Sequence, residues 1–279
     1  MDTPSSLPRR RTGATRTGLV LCAVGAALGL GTCNLAAPGA VDPAASLGIA
    51  SLGLELFLTC LALGIALRSA APLRMRLGLG RGRLPASAVA LTTVGTLGLS
   101  QALDGVLALL NLRETSSLAS FDAALAGASG WPLAFALVGV GLAPGIGEEI
   151  LCRGLVQRGL QPRVGPAFAV GIGALVFGVL HLEPVHAVFA SALGLYLGLI
   201  ALLAGSTRPA ILAHAVNNVA AVLAAARFPD LIPPSVGAVA AGLAVAAACL
   251  LAARRALPAP VVPLPSAQDL QPPPRPDEQ

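Results

Sequence analysis

The chain has 279 residues, 55% hydrophobic and only 11% charged, with a mean hydropathy of +0.80. Soluble domains carry roughly 25% charged residues, so a single aqueous domain is excluded, and the length exceeds that of one anchor; the composition is that of a polytopic helical membrane protein. The net charge is +5 and every basic residue is arginine, which fits a GC-rich bacterial coding bias; the arginines fall at segment ends, where membrane topology explains them without a nucleic-acid partner.

Residues 1–17 are polar, carry Arg9, Arg10, Arg11 and Arg16, and read as a basic cytoplasmic lead. Eight apolar spans follow, each near the ~20 residues that a bilayer requires. They are Gly18–Ala37, Ser46–Leu67, Ala86–Leu112, Pro132–Leu151, Pro166–Leu182, Val185–Ala204, Pro209–Ala226 and Val236–Ala253. The first resembles a cleavable signal peptide in its basic flank and in the small residues at Ala36-Ala37. It is read as retained because the charge alternation needs it.

That alternation assigns one side of the membrane to each connector. Arg68, Arg74, Arg76, Arg81 and Arg83, then Arg153, Arg158 and Arg163, then Arg208, then Arg254-Arg255 all fall on one side, expected to be cytoplasmic. The arginine-poor connectors hold Asp42, Arg113 with Glu114 and Asp122, Glu183, and Arg227 with Asp230. Both termini are then cytoplasmic. Residues 256–279 form a proline-rich tail expected to be disordered. The apolar stretches run continuously and do not alternate with period two, which argues against a transmembrane barrel. The expected fold is an all-α polytopic membrane helical bundle spanning residues 18–255.

The five cysteines, Cys22, Cys33, Cys60, Cys152 and Cys249, form no CxxC pair and read as small packing residues.

Polar groups are costly within such spans and mark chemistry, ion movement or pairing. Glu149 and Arg153 stand four residues apart, on one helical face, placed to pair. Glu148 points about 100° away with no local cation, the setting of a general base. Both acids also fit an amphipathic cytoplasmic helix over Glu149–Leu160. Phe177 and His181 share a face, so that the aromatic ring can fix the imidazole and exclude water; a packing histidine has the same spacing. His186, after the Glu183-Pro184 break, reads as a surface or interface residue. His214 and Asn218 face together, able to hold an oxyanion, help bind a metal or bond between helices, while Asn217 points away. Glu55 and Asp104 are further polar residues within spans that can pair with arginine, line a cavity or touch substrate.

Taken in order, Glu148-Glu149-x-x-x-Arg153, Phe177-x-x-x-His181 and His214-x-x-x-Asn218 resemble the CPBP family of intramembrane proteases. That family includes the type II CAAX prenyl endopeptidases and the bacteriocin-processing or self-immunity (Abi) proteins. The resemblance covers about Pro132–Ala226, with every motif position intact.

It implies an endopeptidase of a bacterial inner membrane that cuts a protein or peptide substrate near its C-terminus or membrane segment. CAAX tails, bacteriocins and C-terminal sorting tags are the substrate classes it offers. Carried over, Glu148 activates water with His181 assisting, His214 and Asn218 polarise the scissile carbonyl, and Glu149, Arg153 and Phe177 support them. Such proteins are often described as metalloproteases. No HExxH helix is present, but Glu148, His181 and His214 make three candidate zinc ligands with a fourth position for water, so the cofactor is expected to be either none or zinc. The alternative is a non-catalytic membrane immunity or binding protein.

One tension stands. Counting residues puts Glu148 and His214 near the cytoplasmic side and His181 roughly 20 Å in from it. A common site then calls for a late or tilted start to the fifth span, which Gly165-Pro166, Gly171 and Gly173 permit.

Overall fold

The computed structural model describes residues 41–69, 71–228 and 232–257, together with Gly18 and Val20. The expected first span, the basic lead, most of the tail, Cys22 and Cys33 lie outside the described residues. Those that are described form helices and connectors with no strand. In chain order the helices are α1 (Pro43–Ala66), α2 (Leu73–Arg76), α3 (Ala86–Leu109), α4 (Ser117–Leu125), α5 (Gly130–Val164), α6 (Pro166–Val179), α7 (Pro184–Ala204), α8 (Arg208–Arg227) and α9 (Val236–Arg255). Six of them (α1, α3, α5, α7, α8 and α9) are long and apolar enough to cross a membrane, and α6 is a shorter apolar helix.

Local chemistry sets several of these boundaries. Asp42 caps α1, its carboxylate accepting from the N–H of Ala44 at 2.9 Å. Glu183 caps α7 in the same way, accepting from His186 N–H at 2.9 Å and Val185 N–H at 2.8 Å. These bonds to the charged form hold the Glu183 carboxyl below the usual carboxylate range. Prolines open α1, α6, α7 and α8, where a missing N–H costs nothing. Gly205, with φ 61°, closes α7 in the left-handed conformation.

Helix α5 departs from the expected span. It does not stop at Leu151, and no separate amphipathic helix begins at Glu149; one helix of 35 residues runs from Gly130 to Val164. Two π-helical stretches interrupt it, Leu137–Leu142 and Ile150–Gln157, on either side of the α-helical turns Ala143–Glu149. Pro144 supplies a reason for the first. It has no N–H to offer Val140, and the register loosens just before it, so that the N–H of Ala143 reaches back five residues to Val138.

Small residues let the helices close around α5. A Cβ at Gly139 would collide with the backbone of Gly48 on α1, and one at Gly145 would lie 2.7 Å from Ala215 on α8. Helix α9 packs along α3, and α6 along α7. The connectors after α1, α5 and α7 gather at one end: Thr207 Oγ1 donates to Leu77 O at 2.8 Å, Ser206 Oγ to Gly80 O at 2.8 Å, and Arg158 to Gly205 O at 3.3 Å. This is the arginine-rich end that the charge alternation predicts. Cys60, Cys152 and Cys249 are free, and Cys152 and Cys249 are buried, in keeping with packing roles.

Candidate active site

The long α5 removes the depth problem. Its last residue, Val164, lies 16 residues beyond Glu148, and His181 lies 15 residues beyond Pro166, where α6 turns back. The two distances are about 24 and 22 Å, so Glu148 and His181 come to nearly the same level. Neither a late nor a tilted start is needed, because α6 begins at Pro166 as expected. The error lay in ending the fourth span too early.

Glu149 and Arg153 pair as their spacing predicts, Nη1 to Oε1 at 2.6 Å, with both side chains fully buried. The same Oε1 also lies 3.1 Å from His214 Nδ1 on α8. A carboxylate held by an arginine accepts, so the Nδ1 position carries the proton and Nε2 presents its lone pair. Asn218 Nδ2 donates to that Nε2 at 3.1 Å, one turn along α8. Glu148 Oε2 stands 3.9 Å from the same Nε2 and, though buried, has no hydrogen-bond partner among the described residues.

Phe177 joins the two histidines. Its ring centroid lies 5.3 Å from that of His181 and 5.3 Å from that of His214, and the Arg153 guanidinium sits over it at 4.5 Å. His181 Nδ1 lies 3.0 Å from the carbonyl of Phe177, leaving its Nε2 as the free nitrogen. Phe177 therefore fixes His181, as expected, and also seals the buried ion pair from the other side.

Helix α7 completes the frame. Arg153 Nη2 donates to Gly194 O at 2.6 Å and Gln157 Nε2 to Gly198 O at 3.0 Å. The four-residue steps match because α5 and α7 run in the same direction. A Cβ at Gly194 would lie 3.0 Å from Phe177 and 3.3 Å from Arg153, so glycine is what lets the helices meet there.

Four further polar residues take their places in three dimensions. His186, expected at a surface, stacks edge-on against His181 with centroids 4.3 Å apart. Asn217 does not simply point away: it is buried and donates to Asn218 Oδ1 at 3.3 Å, orienting that amide. Asp104 is a structural partner, since Arg113 bridges it and Asp122. Glu55 is buried in α1, with its carboxylate against Gly147, immediately before Glu148, and Oε2 without a partner. No sequence motif linked Glu55 to the site; its position in the middle of an apolar span was the one available signal.

Among the described residues no three His, Cys, Asp or Glu side chains are gathered to hold a metal ion. Glu148, His181 and His214 are thus not gathered as a set of metal ligands.

Residues 130–220 match the family of Rce1-like type II CAAX prenyl endopeptidases. The matched family is part of the CPBP group that the three motifs resemble. The matched segment contains Glu148, Glu149, Arg153, Phe177, His181, His214 and Asn218. The match carries the general activity of a CAAX-type intramembrane protease, here on a helical chain with several helices able to span a bilayer. Searches of curated proteins and of solved structures return no match.

Proposed function

We propose that this CPBP protein hydrolyses a peptide bond near the C-terminus or membrane segment of a protein substrate in a bacterial inner membrane. The supporting observation is the continuous contact of Arg153, Glu149, His214 and Asn218, with the unpartnered Glu148 carboxylate facing the same His214 nitrogen. In this reading Glu148 takes a proton from a water molecule as the oxygen attacks the scissile carbonyl carbon. Glu148 then hands that proton to the free Nε2 of His181, held by Phe177, which passes it to the leaving amine. Asn218 donates to the developing oxyanion. For His214 to donate there as well, Nε2 must gain a proton while Nδ1 keeps its own; Glu149 is placed to balance the resulting imidazolium, the part played by the acid of a catalytic triad.

Among the substrate classes, CAAX-type processing has the most support, because the matched family is described as a type II CAAX prenyl endopeptidase family. The test compares membrane-protein C-termini in cells carrying wild-type or Glu148→Gln protein. Tails trimmed only by the wild type support the reading. Unchanged trimming in Glu148→Gln, His181→Ala and His214→Ala sinks it.

A further inference from the structure

At the arginine-rich end of α5 a hollow of about 170 Å³ opens between α5 and the α7–α8 turn. Its wall is formed by Arg83, Arg153 and Arg158 with Gln161, Ser206 and Thr207, and among the described residues no acidic residue lines it. Its inner limit is the buried Arg153, whose Nε has no hydrogen-bond partner; the neighbouring Gln157 is buried with its Oε1 also unpartnered. Arg83 and Arg158 each spend one amino group on the C-terminal carbonyls of α7, at 3.3 Å from Leu203 O and Gly205 O. Their remaining N–H groups make no hydrogen bond among the described residues. Arg153 is already neutralised by Glu149, so Arg83 and Arg158 bring the charge that has no acidic partner among the described residues, and the planar arginine fork suits a carboxylate.

We propose that this hollow receives the free C-terminal carboxylate of the polypeptide to be cut. The proposal rests on the protease reading above and gives it a means of choosing chain ends. Along α5, Arg153 lies about 7 Å and Arg158 about 15 Å beyond Glu148. An extended tail of about two to four residues, at ~3.3 Å per residue, bridges that interval. The site also offers an unpartnered acceptor in Gln157, matched by the amide N–H that a peptide end brings and an inorganic or phospholipid phosphate lacks. Arg153 links the two sites, since its other amino group holds Glu149, and Glu149 holds His214.

The experiment uses full-length protein with Glu148→Gln, to stop cleavage, in phosphatidylcholine nanodiscs. A fluorescent peptide ending in Ala-Ala-Leu is titrated as the free acid and as the C-terminal amide. The free acid is expected to bind at least about ten-fold more tightly, as fits a charged hydrogen bond. Arg83→Ala and Arg158→Ala bring the acid down to the affinity of the amide and leave the amide unchanged, while Arg158→Lys keeps part of the preference. Equal binding of the two peptides, or binding of neither, overturns the proposal. So does arginine-dependent retention of phosphatidylglycerol without a preference for the acid, which makes the hollow a lipid phosphate site. A preference for the acid in protein whose wild type cleaves nothing keeps the hollow and removes the protease reading; cleavage without the preference does the reverse.

Discussion

Two buried acids, one residue apart, have opposite surroundings. Glu149 is tied to Arg153 and His214, whereas Glu148 ends in an oxygen with no partner. Glu148→Gln keeps the shape and forfeits no bond made by that oxygen. It is expected to cut the hydrolysis rate by about 100-fold or more, the scale of general-base loss, with an unchanged melting temperature. Arg153→Ala strands a buried carboxylate and is expected to cost about 3–5 kcal/mol, read as a large fall in melting temperature. The part-exposed bridge from Arg113 to Asp122 supplies the contrast: Asp122→Asn there should cost about 1 kcal/mol or less.

At the scale of the element, α5 holds its neighbours by having no side chain where they touch it. Gly139→Ala drives a methyl group into the α1 backbone at Gly48. Overpacking of this kind costs about 1–3 kcal/mol, so the variant should melt lower. Gly171→Ala, in α6, faces open space and should be neutral or stabilising by up to about 1 kcal/mol. If both variants melt alike, close approach at Gly139 is not what sets the α1–α5 distance. Glu148 and Glu149 sit on an α-helical segment between π-helical stretches. Such bulges recur at functional sites because they re-aim the side chains on either side.

For the whole molecule, the arginine distribution predicts sidedness. Gly80 stands at the arginine-rich end with open space around it, and Leu182 is exposed in the α6–α7 turn at the other end. Cysteines introduced at these two positions in intact cells should react oppositely with a membrane-impermeant maleimide, Leu182→Cys labelled and Gly80→Cys protected. Labelling of both from outside, or of Gly80→Cys alone, would refute a cytoplasmic arginine-rich end.

The sequence by itself determined the helical membrane class and the local partners. Glu149 with Arg153, Phe177 with His181, and His214 with Asn218 are four residues apart, and a helix brings such residues together whatever surrounds it. Tertiary structure decided everything that joins separate helices. The bond from His214 to Glu149 spans 65 residues, and Glu55 and His186 reach the site only through packing. The true end of α5 was hidden as well. Polar Arg153, Gln157 and Arg158 look like a departure from the bilayer when read in one dimension. In three dimensions Arg153 and Gln157 each donate to a carbonyl of a parallel helix, at Gly194 and Gly198, and so the helix continues.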